Sequence, residues 1–119
     1  MSDAPYDELS TNEDWKNALD HSDQTPVLVF KHSSSCSISG KADSEIVEFA
    51  QEEDVPVYRV VVQDSRAVSD VIEKELGVRH ETPQVILLHE GTSVFNTSHF
   101  NVTADTLREE LRRLPLSNS

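Results

Sequence analysis

Two runs in this chain are apolar at every position. Val27-Leu28-Val29-Phe30 and Val85-Ile86-Leu87-Leu88 contain no polar residue that could turn towards water. Successive side chains of a strand point to opposite faces of the sheet, so strands of this composition are covered on both sides. Each run is too short to be a helix of ordinary length. A chain built around such strands needs helices on both faces of a sheet.

The remaining segments supply them. Ser10 with Glu13 has the spacing of a capping box, and Trp15, Ala18 and Leu19 follow at helical spacing. A strand is expected over 26–31. From Cys36, Ile38, Ala42, Ile46, Phe49 and Ala50 mark one helical face, and this helix ends before Val55-Pro56. A second strand covers 56–63. Ser65 opens a helix with Val68, Val71, Ile72 and Leu76 inside, and Gly77 closes it. A third strand covers 83–89, Glu90-Gly91-Thr92 turns the chain, and 93–100 alternates as a fourth strand. Thr103 caps a last helix carrying Leu107, Leu111 and Leu114, and Pro115 stops it.

The order α-β-α-β-α-β-β-α predicts an α/β fold, a four-stranded mixed sheet with helices on both faces. One domain is expected over 10–115. Residues 1–9 read as a frayed, disordered segment and 116–119 as a tail.

Charge narrows the partners. Twenty-two acids against ten bases give a net charge of −12, and only four residues are lysine. That argues against nucleic acid and anionic membranes. The opening Met1-Ser2-Asp3-Ala4-Pro5 lacks the basic and apolar stretches of a signal peptide. No aliphatic run is long enough to span a bilayer. A single cysteine cannot build an internal disulfide framework, which makes a reducing cytoplasm the expected compartment.

That cysteine, Cys36, sits beyond the carboxyl end of the first core strand, where open α/β sheets place their sites. It stands at a helix start, where unpaired N–H groups and the helix dipole favour an anion. A thiol there ionises more easily, and the thiolate is the nucleophile. Ser39 follows at C-x-x-S spacing. Its hydroxyl could donate a hydrogen bond to the thiolate but could not expel an adduct, so an adduct on Cys36 needs an external thiol for release. Lys31 and His32 are close in sequence and could add positive charge. Thr82-Pro83 stands immediately before the third strand, at a place suited to a cis peptide. There the Thr82 main chain would turn outward and pair with an extended substrate. His80 and His99 fit structural hydrogen-bonding roles around Pro83.

These pieces together resemble a thioredoxin-like domain. More narrowly, Phe30-Lys31-His32-Ser33, Ile38-Ser39, the 77–84 stretch ending in Thr82-Pro83-Gln84, and Ser98-His99-Phe100-Asn101-Val102-Thr103 resemble the monothiol bacilliredoxin family over about residues 10–114. The resemblance implies a monothiol oxidoreductase with no bound cofactor and a low-molecular-weight thiol such as bacillithiol as co-substrate. It implies S-thiolated proteins as clients, Cys36 as nucleophile assisted by Ser39, and Thr82, Pro83, Lys31 and His32 as the substrate-binding set. The chain departs from the family pattern at Ser37, where proline is usual, and at Phe100, where tryptophan is usual. Two other readings stand beside this one. The first is an iron–sulfur carrier of the monothiol glutaredoxin type, and the second a non-catalytic thioredoxin-like binding module. A closed zinc site is short of ligands, since His32 and Cys36 have no further cysteine to join them. No metal is expected, and a monomer or weak dimer is.

An acidic surface of this strength also fits adaptation to high salt. Screening of its self-repulsion should raise the melting temperature as salt goes from low ionic strength to molar; salt-independent melting would remove that reading.

Overall fold

The computed structural model describes residues 7–33, 37–53 and 55–114, with backbone alone at 37–39 and 100. The elements in chain order are β1 (Asp7–Glu8), α1 (Asn12–Ser22), β2 (Val27–His32), α2 (Ser37–Glu52), β3 (Val57–Val61), α3 (Arg66–Leu76), β4 (Gln84–His89), β5 (Thr92–Ser98), a 3-10 turn (His99–Asn101) and α4 (Ala104–Arg113). The sheet has five strands in the order β1-β3-β2-β4-β5. β3 runs parallel to both β1 and β2, whereas β4 runs antiparallel to β2 and to β5.

The all-apolar strands work as their composition requires. Val27 and Val29 of β2 join Val60, Ile86 and Leu88 beneath Trp15 and Ala18 of α1 and Val68 and Ile72 of α3. Leu28 and Phe30 point the other way and join Val57, Val85 and Leu87 beneath Ala42, Ile46 and Phe49 of α2 and Leu107 of α4. The sheet therefore separates two apolar layers, and alternation along β2 decides which residue enters which.

Three expectations need correction. The sheet has five strands rather than four, because residues 7–9 are ordered into the fold and are no frayed end. Asp7 and Glu8 pair with Tyr58 and Arg59, Leu9 is 1% exposed, and its N–H donates to the Arg59 carbonyl at 2.7 Å. The Arg59 guanidinium also reaches Glu8 at 2.6 Å. The cap of α1 is Thr11 rather than Ser10. Thr11 Oγ1 accepts from the Asp14 N–H at 3.0 Å, and the Asp14 carboxylate accepts from the Thr11 and Ser10 N–H groups at 3.1 and 2.9 Å. Those main-chain donors, Ser10 first, hold the Asp14 carboxyl below its ordinary range. The last strand stops at Ser98, because His99 takes a positive φ of 57° and begins a 3-10 turn.

The turns follow their residues. Gly77 ends α3 at φ 67°. The β4–β5 hairpin turns through Glu90 and Gly91, both at positive φ, as two-residue hairpins require. Its N–H groups donate to Ser22 at the end of α1. Thr103 caps α4 through the Thr106 N–H at 3.2 Å, and the Glu45 carboxylate of α2 accepts from the Ala104 N–H at 2.8 Å. Pro115, expected to stop α4, lies outside the described residues, as do 1–6 and 116–119.

Phe49 is fully buried between α2 and the sheet. Phe49→Ala should lower unfolding stability by about 3–5 kcal/mol, read from denaturant titration.

Candidate active site

The site lies where β2, β3 and the loop entering β4 meet. β2 ends at His32 and α2 begins at Ser37. Cys36 lies outside the described residues, and Ser39 is described only as backbone in the first turn of α2. Ser33 is 8% exposed, and its hydroxyl accepts from the Gln63 side chain at 2.8 Å. Gln63, just beyond β3, thus braces the chain leaving β2.

The Thr82–Pro83 peptide is cis. Pro83 is buried and Thr82 partly so. The loop is tied at three points. The His80 N–H donates to Glu73 Oε2 at 2.9 Å. The Gln84 side-chain amide donates to the Arg79 carbonyl at 2.8 Å. The His99 N–H donates to the Pro83 carbonyl at 2.9 Å. Among the described residues, none hydrogen-bonds the Thr82 main chain. His99 also faces Glu81 at 3.5 Å, so both histidines brace this loop, as their sequence positions suggested.

Lys31 departs from its expected role. It is fully buried and does not line a surface that a substrate could touch. Alternation along β2 turns it to the α3 side, where its Nζ lies 3.2 Å from His80 Nδ1. Ser69 Oγ lies 3.2 Å from the same nitrogen. Burial pushes the Lys31 ammonium below its ordinary range, while Glu73 and Asp70 oppose that shift. Burial and then the Lys31 charge push His80 down as well.

His32 turns to the opposite face, edge-on to Phe30 with ring centroids 5.5 Å apart. Its Nδ1 is buried without a hydrogen-bond partner among the described residues. Burial, then the Arg59 charge, push it below the ordinary histidine range. Both causes work against the positive charge that His32 was expected to add.

Several contributors escaped sequence reading: Gln63, Ser69, Glu73 and Gln84. One signal was present. A lysine ending an otherwise apolar strand must find a polar partner inside the protein. Among the described residues, no group of three or more His, Cys, Asp or Glu side chains could hold a metal ion. None of the described helices is long and apolar enough to cross a membrane.

A family model described as "Monothiol bacilliredoxin BrxC" matches residues 7–107. Among solved structures, a thioredoxin-fold protein is 30% identical, with a TM-score of 0.82 over 88% of this chain and 92% of that one. Fasciola hepatica thioredoxin is 18% identical, with a TM-score of 0.73 over 90% of this chain and 97% of its own. Trypanosoma brucei brucei thioredoxin is 14% identical, with a TM-score of 0.75 over 94% and 93%. The last two speak for the fold alone. With a model match that takes in every strand of the sheet and the cysteine segment, this thioredoxin-fold chain belongs to the monothiol bacilliredoxin family, with a role in thiol redox chemistry.

Proposed function

We propose that the chain removes a low-molecular-weight thiol, bacillithiol or a close chemical relative, from protein mixed disulfides. The observation that carries this reading is a single cysteine directly ahead of α2 in a chain of this family, with a serine where a resolving thiol would stand. The Cys36 thiolate attacks the small-thiol sulfur of the mixed disulfide. A new S–S bond forms on Cys36 and the client leaves as a thiolate. A second small thiolate then attacks that adduct. It departs as the symmetric disulfide and Cys36 regains its thiolate, so no net electron is left on the chain. Ser39 cannot perform this second attack, because a hydroxyl is not a thiolate.

The N-terminal turn of α2 supports thiolate formation through its unpaired N–H groups, and the Ser39 hydroxyl assists as a donor. The Thr82 main chain, with Pro83 behind it, offers the edge on which an extended client segment pairs. Lys31 serves this site from beneath rather than by contact. His32, four residues before the cysteine, is pushed towards its neutral form by burial. The clients are S-thiolated proteins in a reducing cytoplasm, and no bound cofactor takes part.

Intact mass of the reduced protein after exposure to oxidised bacillithiol, glutathione disulfide and coenzyme A disulfide tests this. One adduct is expected, fastest with bacillithiol, lost in Cys36→Ala, and released by added free thiol. Equal, slow uptake from all three disulfides, at the rate of an ordinary exposed thiol, would overturn the reading.

A further inference from the structure

Lys31 is the one lysine among the fully buried side chains, and it meets a histidine instead of a carboxylate. Its Nζ is 3.2 Å from His80 Nδ1. An ammonium can only donate, so while Lys31 is charged, Nδ1 must present its lone pair. If Nδ1 carries the proton instead, Lys31 must be neutral to accept it. The contact fits one proton between the two nitrogens and excludes two. Ser69 Oγ, 3.2 Å from the same Nδ1, competes with Lys31 for that single lone pair or proton, since a ring nitrogen offers only one.

We propose that Lys31 and His80 share a single proton and together act as a positioning pair for thiol transfer, holding the loop that carries Thr82 and Pro83. This rests on the thiol-transfer reading above. The ring belongs to the loop, whose main chain is pinned at His80 by Glu73 and at Arg79 by Gln84. The lysine belongs to β2, at the centre of the sheet. Their contact therefore ties the substrate-pairing loop to the strand that leads into Cys36. A second proton places two cations side by side. Lys31 is enclosed and cannot withdraw, while His80 is exposed, so the ring leaves and the loop loses this tie.

The surrounding charges do not cancel this. Asp70 and Glu73 of α3 favour protonation, and Arg66 of α3 and Lys31 of β2 oppose it. Glu81 and His99 face each other at the loop's end. An open depression of about 260 Å³, lined by Val62, Arg66, Ser69, Asp70 and His80, brings solvent to the imidazole, so the proton exchanges freely. Burial and the Lys31 charge hold His80 below its ordinary 6.5. Both shifts therefore oppose double protonation of the pair at neutral pH, and the second proton enters as pH falls into the acid range.

The sign of the stability effect follows. Both bases bind a proton less strongly folded than unfolded. For Lys31 the resulting cost is present below its ordinary 10.5, including neutral pH; for His80 it begins as pH falls through 6.5. Removing that amine relieves this cost. Burial of the Lys31 amine thus works against folding at neutral pH while the pair serves the site.

The test follows His80 by NMR titration and compares two rates on Cys36 from pH 5.5 to 8.5. These are adduct uptake from a bacillithiolated peptide and alkylation by iodoacetamide, which needs no loop. In the wild type the ratio of uptake to alkylation should fall severalfold as His80 protonates. In Lys31→Met the His80 midpoint should rise, by up to about one pH unit. The ratio in that variant should be low and flat with pH, and the melting temperature at pH 7 should be equal or higher. His80→Asn, whose amide oxygen accepts from Lys31 without titrating, should keep the neutral-pH ratio and lose the acid fall. An unmoved His80 midpoint in Lys31→Met, or a wild-type ratio that ignores His80 protonation, would overturn the pair. A wild type that takes up no adduct at any pH would instead sink the proposed function, while the NMR titration would still decide whether the proton is shared.

Discussion

The enclosure of β2 is the constraint from which the rest of this structure follows. The strand is hydrogen-bonded on both edges, to β3 and β4, and covered on both faces, so residues 27–30 are all at 0% exposure. Nothing about this strand can shift without disturbing two apolar layers at once. A register slip by one residue would exchange Val29 with Phe30 across the sheet and send each into the wrong layer. The position at which the chain leaves β2 is set by this packing.

The same enclosure explains why polar groups near the site are so closely partnered. Where β2 ends, the alternation continues but the residues become polar. Lys31 inherits the α3 face and His32 the α2 face. Each then needs a solution to burial, and the solutions differ. Lys31 finds His80, and burial holds both below their ordinary protonation ranges. His32 is pushed towards its neutral form and packs against Phe30. Ser33, one residue further, is held by Gln63. The three residues leading to the cysteine segment are thus positioned by three different elements.

Much of this was legible in the sequence, for reasons that can be stated. Strands apolar at every position are unambiguous about burial, so β2 and β4 were found with their neighbours. Gly77, Gly91 and Thr103 marked their turns and cap because only particular residues suit those backbones. β1 was not legible. It has two residues, both charged, and joins the edge of the sheet through main-chain pairing, which leaves no side-chain pattern. The cap of α1 slipped from Ser10 to Thr11 because Asp14 replaces the longer acid of the usual box. Lys31 was assigned to the substrate surface because basic residues near a thiol suggest an anion site. Its parity along β2 already placed it with Val29, facing inward. The family resemblance pointed to thiol redox chemistry, but it could not say which of the nearby residues are exposed and which are buried.

The α2–α4 contact carries a consequence for the far end of the chain. Glu45 of α2 accepts the first N–H of α4, and Arg108 of α4 engages Glu52, Glu48 and Asp105, while Leu107 fills the layer under both helices. The helix that follows the cysteine is therefore clamped from outside by a helix made much later in the chain. Until that segment has been synthesised and docked, Phe49 and Ile46 lack part of their cover. A nascent chain carries Cys36 before the helix that follows it has its full packing partner.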